Sequence, residues 1–260
     1  MFYPTLPSLI FCATFTTVLG QQQPTATVIP KSCFNSQADF NASFNDLYPW
    51  GTDHNGAARM NASYISVSDQ TLTLTAQRVS GQAPAHSGGQ TIDIDYLSGT
   101  VSAKQNFSVT AGGGYDFIGD FQAPVATGTW PAFWLTGVDS WPPEIDLAEW
   151  KGSGNISFNT FNTSSQVAAL NIDYADPGSF HTIKGEVRDE NGEDVSIKFY
   201  LDGSLVTTQY GKSFVGQPMY LWKDLLARLV QPQVSRPMYL MSKANTTYSV
   251  RNLEVLSYNP

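Results

Sequence analysis

The hydrophobic positions along most of this chain repeat every two residues, which is the period of a half-buried β-strand. Residues 65–67 and 72–74 alternate apolar and polar side chains around the polar segment 68–70, and this pattern predicts a hairpin. Residues 197–201 alternate up to Asp202-Gly203, a pair typical of a tight hairpin turn. No pattern of a long amphipathic helix precedes residue 220. We therefore predict an all-β sandwich or jelly roll.

One segment departs from this pattern. Pro-Met-Tyr-Leu occurs at residues 218–221 and again at 237–240, and the leucines in the intervening segment 222–236 follow a helical spacing. The segment is either a surface helix or translated sequence that interrupts a strand. Because a helix is foreign to a jelly roll, we predict that Trp222 to Arg236 is peripheral and that its deletion leaves activity and melting temperature near wild type.

The most informative stretch is residues 144–149, which read Glu-Ile-Asp-Leu-Ala-Glu. Crowded carboxylates repel one another, and apolar neighbours raise the free energy of their charged forms. Such an arrangement requires a reason, and catalysis is the leading one. The alternative is an acidic edge strand, against which the apolar residues between the acids argue.

Strand geometry places these acids on one face only if the strand is irregular. Side chains alternate along a strand, so Glu144 and Asp146 share a face, whereas Glu149 would point into the core. A one-residue β-bulge at Leu147–Ala148 returns Glu149 to the acidic face. The two glutamate carboxyls would then approach to about 6 Å, nearer the separation in retaining glycosidases than that in inverting ones.

At these residues a family resemblance becomes clear. Residues 144–149, preceded by Trp-Pro-Ala-Phe-Trp-Leu at 130–135, resemble the active-site strand of glycoside hydrolase family 16 in its bulged form. Residues 98–104, 180–182 and 197–203 resemble other strands of that family in the same order. The resemblance implies a concanavalin A-like β-jelly roll and an endo-acting hydrolase of a β-linked polysaccharide.

The resemblance leaves the substrate and the reaction open. It implies β-1,3- or β-1,3(4)-glucan as the first expectation and β-1,3-galactan as the second. A cell-wall transglycosylase would use the same residues with a sugar acceptor in place of water. A non-catalytic, lectin-like sugar-binding module on the same fold is the alternative from another class of protein.

The roles expected of the acids follow from retaining chemistry. Glu144 attacks the anomeric carbon, and Glu149 protonates the leaving oxygen and later activates water. Glu144 must then be ionised, with a normal or low pKa, while Glu149 must carry a proton. Asp146 is expected to hydrogen-bond Glu144 and tune its ionisation. This mechanism needs no cofactor, and the sequence has no metal-ligand spacing, so we expect neither.

Four further residues are candidates for substrate binding. Trp130, Trp134 and Trp141 flank the acids and could stack on sugar rings, although large aromatic side chains more often belong to a core. His54 lies in a polar, glycine-containing segment and is expected to line the cleft.

Composition bounds the compartment and the partners. The first twenty residues of the 260 contain no charged side chain, and residues 9–19 form an apolar stretch too short to span a bilayer. We predict a secretory signal peptide at residues 1–20, a single catalytic domain at 21–260, and a secreted, extracellular protein. The formal net charge of −8 disfavours nucleic acid and anionic membranes as partners. We expect a monomer with no membrane anchor.

Six Asn-X-Ser/Thr sequons support secretion and predict a glycoprotein. They begin at Asn41, Asn61, Asn106, Asn155, Asn162 and Asn245.

Overall fold

The computed structural model describes residues 22–54, 56–87, 89–227 and 245–260. Within these residues two large sheets of ten and seven strands form the molecule, antiparallel except where Ala58–Met60 pairs with Tyr96–Ser98, and a separate two-stranded hairpin accompanies them. The prediction of an all-β, concanavalin A-like jelly roll sandwich is confirmed. Residues 1–20 lie outside the described part, so the signal peptide and the domain boundary stay predictions.

The strands in chain order are β1 (Ala26–Ile29), β2 (Phe44–Asp46), β3 (Ala58–Met60), β4 (Ile65–Ser68), β5 (Thr71–Arg78), β6 (Ala85–Ser87), β7 (Gln90–Ile92), β8 (Tyr96–Ser98), β9 (Thr100–Ala103), β10 (Gly114–Gln122), β11 (Thr129–Gly137), β12 (Glu144–Trp150), β13 (Asn155–Phe161), β14 (Val167–Asp173), β15 (His181–Asp189), β16 (Val195–Leu201), β17 (Ser204–Gly211), β18 (Met219–Ala227) and β19 (Thr246–Ser257). In the described ranges they are accompanied by one α-helix, α1 (Gln37–Ser43), and a 3₁₀ turn (Ala62–Tyr64).

The sheet order places the acidic strand near the middle of the smaller sheet. Its strands run β14-β13-β12-β11-β18-β9-β2, so β12 is flanked by β11 and β13. The larger sheet runs β17-β16-β15-β10-β19-β5-β8-β3, with β1 on β19 and β4 on β5. Neighbours on both sides hold the backbone of β12, which fixes the positions of its side chains.

Both hairpins expected from the sequence are present. Ser68 pairs with Thr71 across the turn between β4 and β5. Leu201 pairs with Ser204 across the turn between β16 and β17. The second turn has φ values of 49° at Asp202 and 79° at Gly203, the left-handed conformations that a two-residue hairpin requires.

The core lies between the two large sheets, and strand alternation fills it. On β12 the side chains of Ile145 and Leu147 are fully buried in the hydrophobic core. Leu147 packs against the backbone of Gly185 in β15, where an added Cβ would lie 2.3 Å from a Leu147 methyl group. Gly185 therefore leaves the space that the bulged part of β12 occupies.

The prediction that Trp222 to Arg236 is peripheral is wrong for the residues that the structure describes. Met219–Ala227 is strand β18, and it pairs with β11 along its whole length. Its other edge pairs with β9 at Trp222, whose side chain is fully buried. The leucines of this segment fit a helical spacing, which led to the wrong prediction. The segment is extended because the edges of β11 and β9 offer hydrogen-bond partners to a strand that lies between them. Residues 228–236 lie outside the described residues.

The contact between Gly185 and Leu147 gives a test of how tightly the sandwich holds β12. We expect Gly185→Ala to lower the free energy of unfolding by about 1–3 kcal/mol, because its new methyl group overlaps Leu147. Adding Leu147→Ala should make the combined loss smaller than the sum of the two single losses, as urea denaturation would measure. Gly178→Ala is the control, since an added Cβ there meets nothing within 4 Å. Strictly additive losses would contradict this packing.

Candidate active site

A cleft of about 1090 Å³ lies on the face of the smaller sheet that is turned away from the core. Strand β11 forms much of the floor of the cleft, because side chains alternate between its two faces. Trp130, Trp134 and Thr136 line the cleft. Phe133 and Leu135 point the other way and are buried in the core. The predicted site residues all line this one cleft. They are Glu144, Asp146, Glu149, Trp130, Trp134, Trp141 and His54.

The predicted β-bulge is confirmed. Across the β11–β12 ladder Phe133 pairs with Ala148 and Trp134 pairs with Asp146, so Leu147 is the extra residue. The ladder between β12 and β13 shifts register over the same residues. The extra residue restores the alternation, and Glu149 joins Glu144 and Asp146 at the cleft.

Glu149 is nearly buried and its carboxyl oxygens face three hydrogen-bond donors. Trp130 donates its indole N–H to Oε1. Asn159 donates from Nδ2 to Oε2 over 3.0 Å, and the Lys151 ammonium lies 2.8 Å from the same oxygen. These contacts come from β11, from β13 and from the residues that follow β12, so three parts of the chain fix this carboxyl group.

The other two acids have different partners. Trp141 donates its indole N–H to Glu144 Oε2 over 2.9 Å. Asn159 donates its second amide hydrogen to Asp146 Oδ2 over 2.8 Å. The expected hydrogen bond between Asp146 and Glu144 is not formed, because the Asp146 carboxyl turns toward Asn159 on the neighbouring strand. Asn159 thus ties Asp146 to Glu149.

Burial and mutual repulsion shift the titration of this cluster. Burial is the main cause that raises the pKa of Asp146 above its usual range, and the charges of Glu149 and Glu144 raise it further. Burial likewise raises the pKa of Glu144 to about 7, with a smaller contribution from Glu149 and an opposing hydrogen bond from Trp141. This direction is opposite to the normal or low value expected for Glu144. These shifts favour retaining a proton on the Glu144–Asp146 part of the cluster.

The aromatic candidates occupy different parts of the cleft. Trp141 is half exposed and packs near Phe161 at a centroid distance of 5.9 Å. Trp134 lies on the floor of the cleft, 5.9 Å from the ring of His54. Burial lowers the pKa of His54 to about 4, so this imidazole is neutral near pH 7. Neutral rings and indole faces suit uncharged sugars, and the binding roles of these residues stay predictions.

Sequence reasoning missed several residues of the site. Lys151 follows Glu149 by two positions, so strand alternation could have placed it at the cleft. Asn159 faces β12 only through the register of β13, which the sequence did not give. Trp50 and Tyr220 line the cleft from segments distant in sequence, and Trp50 stacks on Tyr48 at 4.8 Å. No local pattern marks these last two.

No group of three or more His, Cys, Asp or Glu side chains in the part of the chain that the structure describes is arranged to hold a metal ion. No helix in the same residues is long and apolar enough to cross a membrane.

A jelly roll whose cleft carries two glutamates on one strand face has the pair of carboxyl groups that a glycoside hydrolase needs. The chain is 44% identical over 232 residues to "Galactan endo-beta-1,3-galactanase" of Flammulina velutipes, a match that covers 88% of this chain and 90% of that relative. It is 30% identical over 167 residues to "Endo-1,3-1,4-beta-glycanase ExsH" of Rhizobium meliloti (strain 1021), covering 62% of this chain and 33% of the relative.

The solved structures agree on the fold. An endo-1,3-β-glucanase of Streptomyces sioyaensis superposes with a TM-score of 0.65 at 18% identity, covering 85% of this chain and 91% of the other. No family model matches the chain. The homologues and the fold together establish that this chain belongs to glycoside hydrolase family 16, and it is an endo-acting β-glycanase.

The raised pKa of Glu144 predicts how stability changes with pH. A carboxyl whose pKa is higher in the folded state binds more protons there, so its contribution destabilises the fold as pH rises from about 4.5 to about 7. We expect Glu144→Gln to raise the melting temperature at pH 8 by about 4 °C, because the amide stays neutral.

The same substitution should change the melting temperature little at pH 4, where the carboxyl is protonated in both states. Calorimetric melting at the two pH values checks this, with the exposed Glu190→Gln as control. An equal effect of Glu144→Gln at both pH values would contradict the burial argument.

Proposed function

We propose that this protein is a retaining endo-hydrolase of β-1,3-galactan. The observation that carries the proposed chemistry is the bulge at Leu147–Ala148, which brings Glu149 to the same face as Glu144 and surrounds it with donors. The relative that matches nearly the whole chain is named for endo-β-1,3-galactanase activity, and this supports the choice of substrate.

The proposed reaction is a double displacement. Ionised Glu144 attacks the anomeric carbon while protonated Glu149 donates its proton to the leaving glycosidic oxygen. The resulting glycosyl-enzyme ester is hydrolysed when Glu149, now a carboxylate, takes a proton from the attacking water. The sugar–oxygen bond to the leaving group breaks in the first step, and the ester bond to Glu144 breaks in the second.

Asp146 supports the nucleophile in this proposal. Two adjacent charges in a nearly buried site repel each other, and the pKa of Asp146 is raised well above its usual range. A proton held on Asp146 removes one negative charge beside Glu144, which lets Glu144 ionise. Trp141 then stabilises the charged nucleophile through its hydrogen bond to Oε2.

A β-1,3- or β-1,3(4)-glucan is the second candidate substrate. The Rhizobium meliloti relative is named as an endo-1,3-1,4-β-glycanase, and this supports it, although that match covers 62% of this chain. The cleft combines indole rings, a neutral imidazole and one strand of acids, and such a lining suits a neutral glycan of either kind.

A panel of polysaccharides separates these candidates. We expect the purified enzyme to release oligosaccharides of several lengths from β-1,3-galactan and to act more slowly on laminarin, lichenan, xyloglucan and agarose. Proton NMR of the first product should show the β anomer, since retention follows from two displacements. Faster cleavage of laminarin or lichenan would select the glucan, and an initial α anomer would contradict retention.

A further inference from the structure

Lys151 makes two contacts in the cleft that bear on the acid–base residue. Its ammonium lies 2.8 Å from Oε2 of Glu149 and 5.2 Å from the centroid of the Trp130 ring. The Lys151 side chain is 52% exposed, whereas that of Glu149 is 9% exposed. An exposed cation is thus paired with a nearly buried carboxyl and lies over an indole face at the same time.

The surroundings of Glu149 are those of a carboxylate. Trp130, Asn159 and Lys151 all direct donors at its two oxygens, and none of the three can accept a hydrogen bond from a protonated carboxyl at those contacts. Catalysis nevertheless requires Glu149 to hold a proton in its first step. The Lys151 ammonium, 2.8 Å from Oε2, favours the charged carboxylate over the acid, so moving this cation away favours the protonated form that the first step needs.

Lys151 is the donor that can move. Asn159 is almost fully buried and its amide is also bonded to Asp146, so its position is set by two acids. Trp130 is part of β11, between β12 and β18. Lys151 follows the end of β12 and has an exposed, flexible side chain with a strongly hydrated head group.

We propose that Lys151 is a positioning residue that switches Glu149 between base and acid, and that a sugar stacking on Trp130 displaces the Lys151 ammonium from both the indole and the carboxyl. This inference rests on the proposed function. Occupancy of the leaving-group side of the cleft thereby creates the acid form of Glu149 at the moment that the leaving oxygen needs a proton.

The protons balance over one turnover. Displacement of Lys151 lets Glu149 take one proton from solvent, and that proton leaves on the departing sugar. When the departing sugar vacates Trp130, Lys151 returns and stabilises the Glu149 carboxylate, which is the base required for attack by water. The proton taken from this water remains on Glu149 for the next cycle or returns to solvent.

Other charges near Glu149 act in the opposite direction. Glu144 and Asp146 lie on its own strand, and after burial the charge of Glu149 is a further cause that raises the pKa of both, so the three acids repel one another. The neighbouring residue Asn159 of β13 is neutral. On the other side of Glu149, Ala132 of β11 pairs with Glu149 and also with Asp224 of β18. Lys151 is the cationic side chain among the described residues that line the cleft. Its loss therefore removes the favourable charge and leaves the repulsive ones.

The experiment compares pH profiles of kcat/KM and of kcat for wild type, Lys151→Met and Lys151→Arg on the polysaccharide that the wild type cleaves fastest. The kcat/KM profile reports the free enzyme, in which Lys151 is paired, and the kcat profile reports the complex, in which it is displaced. We expect Lys151→Met to move the alkaline limb of kcat/KM up by about 1 pH unit and to move the limb of kcat by much less.

Two control variants separate this role from a general effect. Lys151→Arg keeps the charge and should restore the wild-type limb. Lys212→Met removes another exposed lysine from an ion pair, 2.6 Å from Asp194 and outside the cleft, and should change neither profile.

Equal shifts of the two profiles in Lys151→Met would overturn displacement, and unchanged profiles would overturn the whole inference. A wild type that cleaves none of the polysaccharides would overturn the proposed function, and this inference with it. If the wild type is active but the pH profiles of Lys151→Met are unshifted, the inference about Lys151 is overturned and the proposed function stands.

Discussion

The single extra residue in β12 is the constraint on which the site depends. Without it, Glu149 would point between the sheets, where an unpaired carboxylate costs several kcal/mol. With it, Leu147 and Ala148 stay in the core while Glu149 joins Glu144 on the cleft face. The packing of Leu147 on Gly185 of the opposite sheet holds the irregular backbone in place. A packing contact in the core thus sets the geometry of the acids.

The same bulge creates an electrostatic cost that the surrounding side chains partly offset. Burial, and after it the mutual repulsion of three acids on one strand face, raises the pKa of Glu144 and of Asp146, so the folded state retains protons that the unfolded chain would release. Asn159, Trp141 and Lys151 supply hydrogen bonds or charge that favour the ionised forms. Burial and repulsion favour the protonated acids, whereas these contacts favour the ionised ones. A mechanism that needs one charged and one neutral glutamate can use these opposing effects.

The sequence predicted the parts of this arrangement that local physics determines. The alternation of apolar and polar side chains predicted the hairpins and the shared face of Glu144 and Asp146. The free-energy cost of burying the Glu149 carboxylate predicted the bulge in β12. Strand β18 was mispredicted because its apolar residues fit a helical period, and only the free edges of β11 and β9 decide in favour of a strand. Trp50 and Asn159 reach the cleft through register and topology, which no local pattern encodes.

The central claim is that Glu144 is the nucleophile and Glu149 the acid–base residue, and azide rescue tests it most directly. Glu149→Ala should lose about 10²–10⁴-fold in activity, lose less on substrates with good leaving groups, and yield a β-glycosyl azide because Glu144 still forms the intermediate. Glu144→Ala should yield an α-glycosyl azide by direct attack. Exposed Glu190→Ala should keep full activity and form no azide product. The opposite pairing of anomers, or substantial activity in both site variants without azide, would contradict the account.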